Sequence, residues 1–353
     1  MSSTTLGIDI SKATFDAALL FENNKVKTKR FANKQSGFLE LSAWLNRHET
    51  SKSQVCLEAT GYYGEALATY LFEVGYTVSV VNPAQIKGFG QCELIRTKTD
   101  KADAQLIARF CRAMHPHAWK PKPLHIRELQ ALIHRLASLQ DMYRQEANRL
   151  EAAPMSIQSS IKAIKKRLEK EIAWVKKKIQ SHIEQYPDLR GKKELLETIP
   201  GVGEATIAQV LAFIGNVGDF KHAKQVAAFV GLNPKHRQSG TSVQGRSRLS
   251  KMGNAALRTA FYMPAITAKR YNPVIKAFCE RLKAAGKPTM LIIGAAMRKL
   301  IHIIYGVLKS GKAFDARVAT SGGPPLFKGL TTKTVSLPIA MGIMLPSEEM
   351  KPS

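Results

Sequence analysis

The run LGIDISKATFDAALLF, residues 6–21, decides how the N-terminal part is read. Its two apolar halves, LGIDI (6–10) and FDAALLF (15–21), are each strand-sized, and Ser11-Lys12 between them suits a turn. Outward from it, KTKRFAN (27–33) offers a third strand. GFLELSAWLNRH (37–48) has helical spacing, with Phe38, Leu41 and Leu45 on one face. VCLEAT (55–60) reads as a buried strand, Tyr63 to Val74 as an amphipathic helix stopped by Gly75, and TVSVVN (77–82) as a strand closed by Asn82-Pro83.

Three strands, a helix, a strand, a helix and a strand predict an α/β sheet with an antiparallel edge, in the order of a ribonuclease-H-like layout. Past residue 125 the pattern changes. Leu129, Leu132, Leu136, Leu139 and Tyr143 keep helical spacing until Ala152-Ala153-Pro154 breaks it. A second stripe follows: Ile157, Ile161, Ile164, Leu168, Ile172, Val175, Ile179 and Ile183. A stripe held that long predicts a coiled coil, here an antiparallel arm roughly 40 Å long at 1.5 Å per residue. Residues 188–315 read as mostly helical, and the tail from Ser321, rich in Gly, Pro, Thr and Ser, as loosely ordered. The expected class is α/β plus α, with divisions at 1–125, 126–187, 188–320 and 321–353.

Charge narrows the function. The chain has 353 residues, 53 Lys+Arg against 27 Asp+Glu, and a formal net charge of +26. Cations in that excess suit a protein that neutralises phosphates and releases their condensed counterions. No stretch approaches 18 uncharged apolar residues, so no membrane span is expected. The start, MSSTTLGIDISKATFD, lacks the basic and apolar regions of a secretory signal. Cys56, Cys92, Cys111 and Cys279 form no C-x-x-C pair and read as buried thiols of a reducing, cytoplasmic compartment. The histidines form no H-E-x-x-H, and each reads as a surface or packing residue. From Lys162 to Lys178 the second long helix carries eight cations and two anions. Such a face is ordinarily just solvated, and it also suits a nucleic-acid backbone.

Two-metal phosphodiester chemistry needs several acidic side chains at one point, because hard cations take oxygen ligands. Four residues are candidates. Asp9 lies in the first strand and Glu58 near the end of VCLEAT, and in the expected sheet those strands are neighbours. Asp100 and Asp103, in KTDKADAQLIARF, share a helix face. A carboxylate inside an apolar strand is costly unless paired, which makes Asp9 and Glu58 the more informative. The ordinary readings are a turn-initiating Asp9, an N-capping Asp100, and an Asp103 that complements the helix dipole. Together on one sheet, the four favour a metal site.

LLETIPGVGEATIAQVLAFIG (195–215) has the form of a helix-hairpin-helix, in which Gly201 and Gly203 let backbone N–H groups approach a phosphate. An ordinary tight turn fits the same residues. A dinucleotide loop fits poorly, since position 206 is Thr, and no G-x-x-x-x-G-K-[ST] supports an ATP-driven mechanism. GLNPKHRQSGTSVQGRSRLSKMGNAALR (231–258) holds Lys235, Arg237, Arg246, Arg248, Lys251 and Arg258, with no acid. Serines 239, 242, 247 and 250 lie among the cations. They read either as neutral donors in a phosphate-binding loop or as including one nucleophile, which composition does not identify. Lys98 and Lys101, beside Asp100, add candidate nucleic-acid contacts.

G-I-D-I-S, L-E-A-T-G-Y-Y, K-T-D-x-x-D-A, I-P-G-V-G and S-G-T-S-V-Q-G-R-S-R-L-S-K-M-G-N occur in this order. The ordered set, over about residues 6–315, resembles the bridge-RNA-guided insertion-sequence recombinases, or DEDD transposases. The resemblance implies a RuvC-like N-terminal domain, a coiled-coil insertion and a C-terminal transposase domain. It implies that Asp9, Glu58, Asp100 and Asp103 bind Mg²⁺, and that Ser239, in the Gln238-Ser239-Gly240 turn, attacks DNA to leave a 5′-phosphoserine link. The implied working form is a tetramer, a dimer of dimers with composite sites, holding donor DNA, target DNA and a structured guide RNA that delegates sequence choice to base pairing. None of the five catalytic positions departs from the family pattern. Two rivals stand beside this reading. A RuvC-like structure-specific endonuclease would use the same acids with water. A non-catalytic basic nucleic-acid-binding protein would show steep salt dependence and no cleavage. A tyrosine recombinase is disfavoured, for want of an H-x-x-R followed by a late tyrosine.

Overall fold

The computed structural model describes residues 4–50, 53–59, 61–94, 99–239 and 243–317. The expected loose tail from Ser321 lies outside them. The chain divides into two compact units, residues 1–124 and 125–353.

The first unit is a five-stranded mixed sheet with helices on both faces. Its elements are β1 (Thr5–Ile10), β2 (Thr14–Leu20), β3 (Val26–Ala32), α1 (Gln35–Asn46), β4 (Gln54–Glu58), α2 (Glu65–Glu73), β5 (Thr77–Val81), α3 (Pro83–Cys92) and α4 (Asp100–Met114). The strand order is β3-β2-β1-β4-β5. The β1–β2 and β2–β3 pairs are antiparallel, and the β1–β4 and β4–β5 pairs parallel. The expected antiparallel edge is therefore β3-β2.

Side-chain alternation assigns the faces. Leu6, Ile8 and Ile10 of β1, Phe15, Ala17 and Leu19 of β2, and Val55 and Leu57 of β4 share one core with Phe38, Leu41, Leu45, Leu67 and Leu71 of α1 and α2. The opposite face meets α4: Ala18 and Leu20 pack on Ala104 and Ala108, and Cys56 on Ile107 and Cys111. The Thr5 hydroxyl donates to the Ala108 carbonyl at 3.1 Å. Gly7 makes this approach possible: a Cβ there would lie 2.2 Å from the Ala108 nitrogen and 2.3 Å from the Ala104 oxygen. Both are backbone atoms, so no rotamer change relieves the clash. Gly7→Ala is expected to cost the first unit about 3 kcal/mol through overpacking. Chemical denaturation measures this, and a loss under about 0.5 kcal/mol would show that α4 is not seated as described.

The second unit contains α5 (Leu124–Ala152), α6 (Met155–Gln185), α7 (Pro187–Glu197), α8 (Glu204–Phe213), α9 (Ala223–Val230), β6 (Pro234–Ser239), β7 (Val243–Leu249), α10 (Ala255–Ala260), α11 (Tyr262–Tyr271), α12 (Pro273–Ala284) and α13 (Thr289–Ser310). The chain turns between α5 and α6 at Ala153-Pro154. The two helices run antiparallel: His182 near the end of α6 bonds the His125 carbonyl at the start of α5 at 2.7 Å, and Tyr143 donates to Glu169 at 2.9 Å further out. Leu129, Ile133, Leu139, Val175, Ile179 and Ile183 are buried, in one core with α7 to α13. Toward the tip Ile161 stays buried, while Ile157 and Ile164 are about half exposed. The last turns of α5, DMYRQEANRLE (141–151), offer little apolar surface to cover them.

One expectation meets a candidate exception and another changes. Helix α13 is long and apolar enough to cross a membrane by length and composition, which the count of uncharged residues passes over because Arg298 and Lys299 interrupt it. Its most apolar window is 67% buried inside the unit, as a core helix would be. His302 is buried on it, and burial with the charges of Arg298, Lys299 and Lys224 lowers its pKa to about 4. Cys92 is exposed, unlike Cys56, Cys111 and Cys279, because it ends α3 away from that helix's buried residues Ile86 and Gly90.

Candidate functional site

Alternation places Asp9 on the α4 face of the sheet, since Leu6, Ile8 and Ile10 face the other way. By the same count Glu58 of β4 and Asp16 of β2 share that face. Asp9 stands directly opposite Asp16 in the antiparallel register. Asp9 and Glu58 are the next residues after the parallel pair Ile8–Leu57. Helix α4 lies over this face and brings Asp100 and Asp103 in its first turn. The N-cap is Thr99, whose hydroxyl accepts from the Ala102 amide at 3.2 Å, so Asp100 is not the cap but the first helical residue. Both acids then sit where the positive end of the helix dipole favours them.

The electrostatics follow from this crowding. The Asp9 pKa is pushed up from 3.8 to about 6, first by burial, then by the negative charges of Asp103, Glu58, Asp100 and Asp16. Four carboxylates that each disfavour ionisation of a fifth make a site short of positive charge. An all-oxygen, net-negative donor set fits a hard divalent cation. Among the described residues, no three His, Cys, Asp or Glu side chains are arranged to hold a metal ion. Arg30 of β3 bonds Asp16 through Nε at 2.9 Å and also reaches Asp100 at 2.9 Å.

Asp16 and Arg30 were not singled out from sequence. Asp16 lies in FDAALLF and Arg30 in KTKRFAN, and nothing in either run marks a site. The signal is the register, Asp9 opposite Asp16 and Asp16 opposite Arg30, which becomes readable only once the strand pairing is known.

In the second unit, the described residues of segment 231–258 include two antiparallel strands, β6 paired with β7. Its polar, glycine-bearing strands lack the apolar alternation by which a strand is read from sequence. Ser239 ends β6, opposite Val243. Lys98, Gly240 and the side chains of Arg237, Ser239 and Arg246 lie outside the described residues. Lys235 stands opposite Arg248, and both are exposed. Like charges facing each other across a ribbon destabilise it until an anion joins them. Lys251 and Lys101 are also exposed, Lys251 with a left-handed backbone at φ 57°. Arg258 has structural work: one of its terminal nitrogens donates to the carbonyls of Val230 and Lys251, each at 3.2 Å.

The two hairpin glycines differ. Gly201 has φ 96°, and a Cβ there would lie 2.7 Å from the Ala268 backbone. Its glycine is required for packing against α11, where buried Asn272 also reaches the Pro200 carbonyl at 3.4 Å. Gly203 caps α8 and has open space around it, so a phosphate's approach remains geometrically free only there.

Comparison with known proteins adds to this geometry. A family profile described as Transposase, for the DEDD type of IS110, matches residues 6–154, and one described as Transposase IS116/IS110/IS902 family matches residues 193–280. The chain is 37% identical over 322 residues to the pilin gene-inverting protein of Moraxella lacunata, covering 90% of this chain and 99% of that one. It is 24% identical over 283 residues to the transposase for insertion sequence element IS1111A of Coxiella burnetii, covering 72% and 74%. An IS110 protein of Streptomyces coelicolor is 28% identical over 124 residues, 35% of this chain and 30% of that one.

Proposed function

We propose a function from one premise: this chain belongs to the IS116/IS110/IS902 family of transposases. It is thus an enzyme of insertion-sequence recombination, and DNA is its substrate class. In our reading it is a Mg²⁺-dependent, RNA-guided recombinase working through a covalent serine intermediate. The observation that carries the reading is Asp9 on the α4 face of the mixed sheet, its pKa raised to about 6 first by burial and then by the negative charges of Asp103, Glu58, Asp100 and Asp16.

The sheet order supports a RuvC-like domain over 1–125, with a coiled-coil arm at 126–187 and a serine-bearing transposase domain at 188–320. Asp9, Glu58, Asp100 and Asp103 are the residues that would hold Mg²⁺. When bound, the ion supplies Lewis-acid polarisation of the phosphate and neutralises charge there. The Ser239 oxygen attacks the DNA phosphorus; a serine–phosphate bond forms, the bond to the 3′ oxygen breaks, and that oxygen leaves with a proton as a 3′ hydroxyl. The phosphodiester energy stays in the serine ester, so rejoining needs no ATP, in keeping with the missing phosphate-binding motif. The working form in this reading is a cytoplasmic tetramer that holds donor DNA, target DNA and a bridge RNA, with acids and serine meeting from different protomers.

Lys235 and Arg248 line the nucleic-acid path, with Lys101, Lys251, Gly203 and the side chains of Lys98, Arg237 and Arg246 in supporting roles. Replacing both Lys235 and Arg248 by Gln is expected to weaken DNA binding and to flatten the slope of log K against log salt by about 1.8, about 0.9 for each lost phosphate contact. An unchanged slope would remove both residues from the path.

The decisive experiment cleaves a substrate bearing the element's ends and examines the new 5′ terminus. A protein-bound end supports the serine mechanism. A free 5′ phosphate makes the enzyme a water-using nuclease. Sequencing of co-purifying RNA tests guidance: a structured species with segments complementary to two DNA sites is expected, and its absence from an active preparation ends that part of the reading.

A further inference from the structure

We propose that Arg30 is a positioning residue of the acidic site, a counter-cation that holds Asp100 aside and that an incoming divalent ion must displace; this rests on the metal-site reading above. Three adjacent strands make the device. Asp9, Asp16 and Arg30 are consecutive register partners across β1, β2 and β3, so all three side chains rise on the face covered by α4. The guanidinium holds Asp16 through two contacts of 2.9 and 2.8 Å and Asp100 through one of 2.9 Å.

The two ends of this bridge are unequal. The Asp16 side chain is 13% exposed and the Asp100 side chain 65% exposed. An exposed single contact is weak, while a buried two-contact end is not. Asp100 is therefore the end that yields, and Arg30 stays tethered to Asp16 after it lets go. Arginine remains charged throughout the working pH range, so the release responds to a competing cation and not to a proton.

Mn²⁺ is the probe, titrated into the full chain and followed by electron paramagnetic resonance and by thermal melts. Arg30→Gln is expected to bind Mn²⁺ about three- to fivefold more tightly than wild type, the worth of one exposed ion pair. In EDTA its melting temperature falls below wild type, because the carboxylates lose a counter-charge. At saturating Mn²⁺ the gap narrows by the worth of the Asp100 contact alone, because the Asp16 contacts that wild type keeps are missing from the variant in both conditions. A merely structural arginine would lower both melts equally and leave the affinity unchanged, and either result overturns the proposal. Arg30→Lys, which keeps the charge but cannot span both carboxylates, should tighten Mn²⁺ in the same direction by less; weaker binding in that variant would overturn the proposal even if Arg30→Gln fails to fold. Wild-type binding that disappears in Asp103→Asn but ignores Arg30→Gln sinks the latch alone. A wild-type chain that binds no Mn²⁺ sinks the latch and the metal-site reading together.

Discussion

Ser239→Ala is expected to lose all covalent protein–DNA adduct on a denaturing gel and to lower strand exchange by about 10⁴-fold or more, as removal of a nucleophile does elsewhere. RNA and DNA binding should stay near wild type, because the substitution removes one hydroxyl from the end of a ribbon whose cations remain. Several serines sit among these cations, and the neighbours serve as controls. Ser247→Ala and Ser250→Ala should still form the adduct. An adduct that persists in Ser239→Ala moves the nucleophile to another position. Loss of RNA binding along with the adduct would mean that the variant disrupts the hairpin and not the chemistry.

Asp9→Asn should separate activity from stability. Cleavage is expected to fall about 10³-fold or more, since a lost charged ligand removes several kcal/mol of metal-assisted stabilisation. Stability should move the other way. In the folded state the Asp9 pKa is about 6, raised from 3.8 by burial and by Asp103, Glu58, Asp100 and Asp16. A carboxyl raised on folding binds its proton more tightly when folded, so stability falls as pH rises from about 4 through 6. The shift in full corresponds to about 3 kcal/mol. Solvent at a partly exposed carboxylate reduces this to about 1–2 kcal/mol. Asp9→Asn should thus be more stable than wild type by about that amount at pH 7.5 and equal to it near pH 4. Calorimetry in EDTA across this range is the check. An advantage that does not grow with pH would mean that the carboxylates are not crowding Asp9. Saturating Mg²⁺ should cancel the advantage by stabilising wild type alone.

Much of the first unit is legible residue by residue. LGIDI, nearly all of FDAALLF and the VCLE of VCLEAT fall on strands, and the break at Ala152-Ala153-Pro154 falls between α5 and α6. These features are local: apolar runs, turn residues and a proline act within a few positions of chain. Asp9, Glu58, Asp100 and Asp103 are also readable as candidates, since acids in or beside apolar elements announce their own cost. The hairpin of β6 and β7 is not readable. It carries Gly245 and a run of Lys, Arg, Ser and Gln in place of the apolar alternation of a half-buried strand, and its pairing is a matter of cross-strand hydrogen bonds.

Composition and periodicity alone settle that this is a strongly basic α/β plus helical chain, with the strand and helix order of its first unit and the long helical stripe of its second. Each of these is carried by neighbours in sequence. Whether Gly7 serves as a turn or a contact, whether Asp16 belongs with Asp9, and which carboxylate Arg30 restrains are settled only by the fold. Those depend on register and on how closely α4 rests on β1. Chain segments up to a hundred residues apart set both, through pairings and packing that no local pattern encodes.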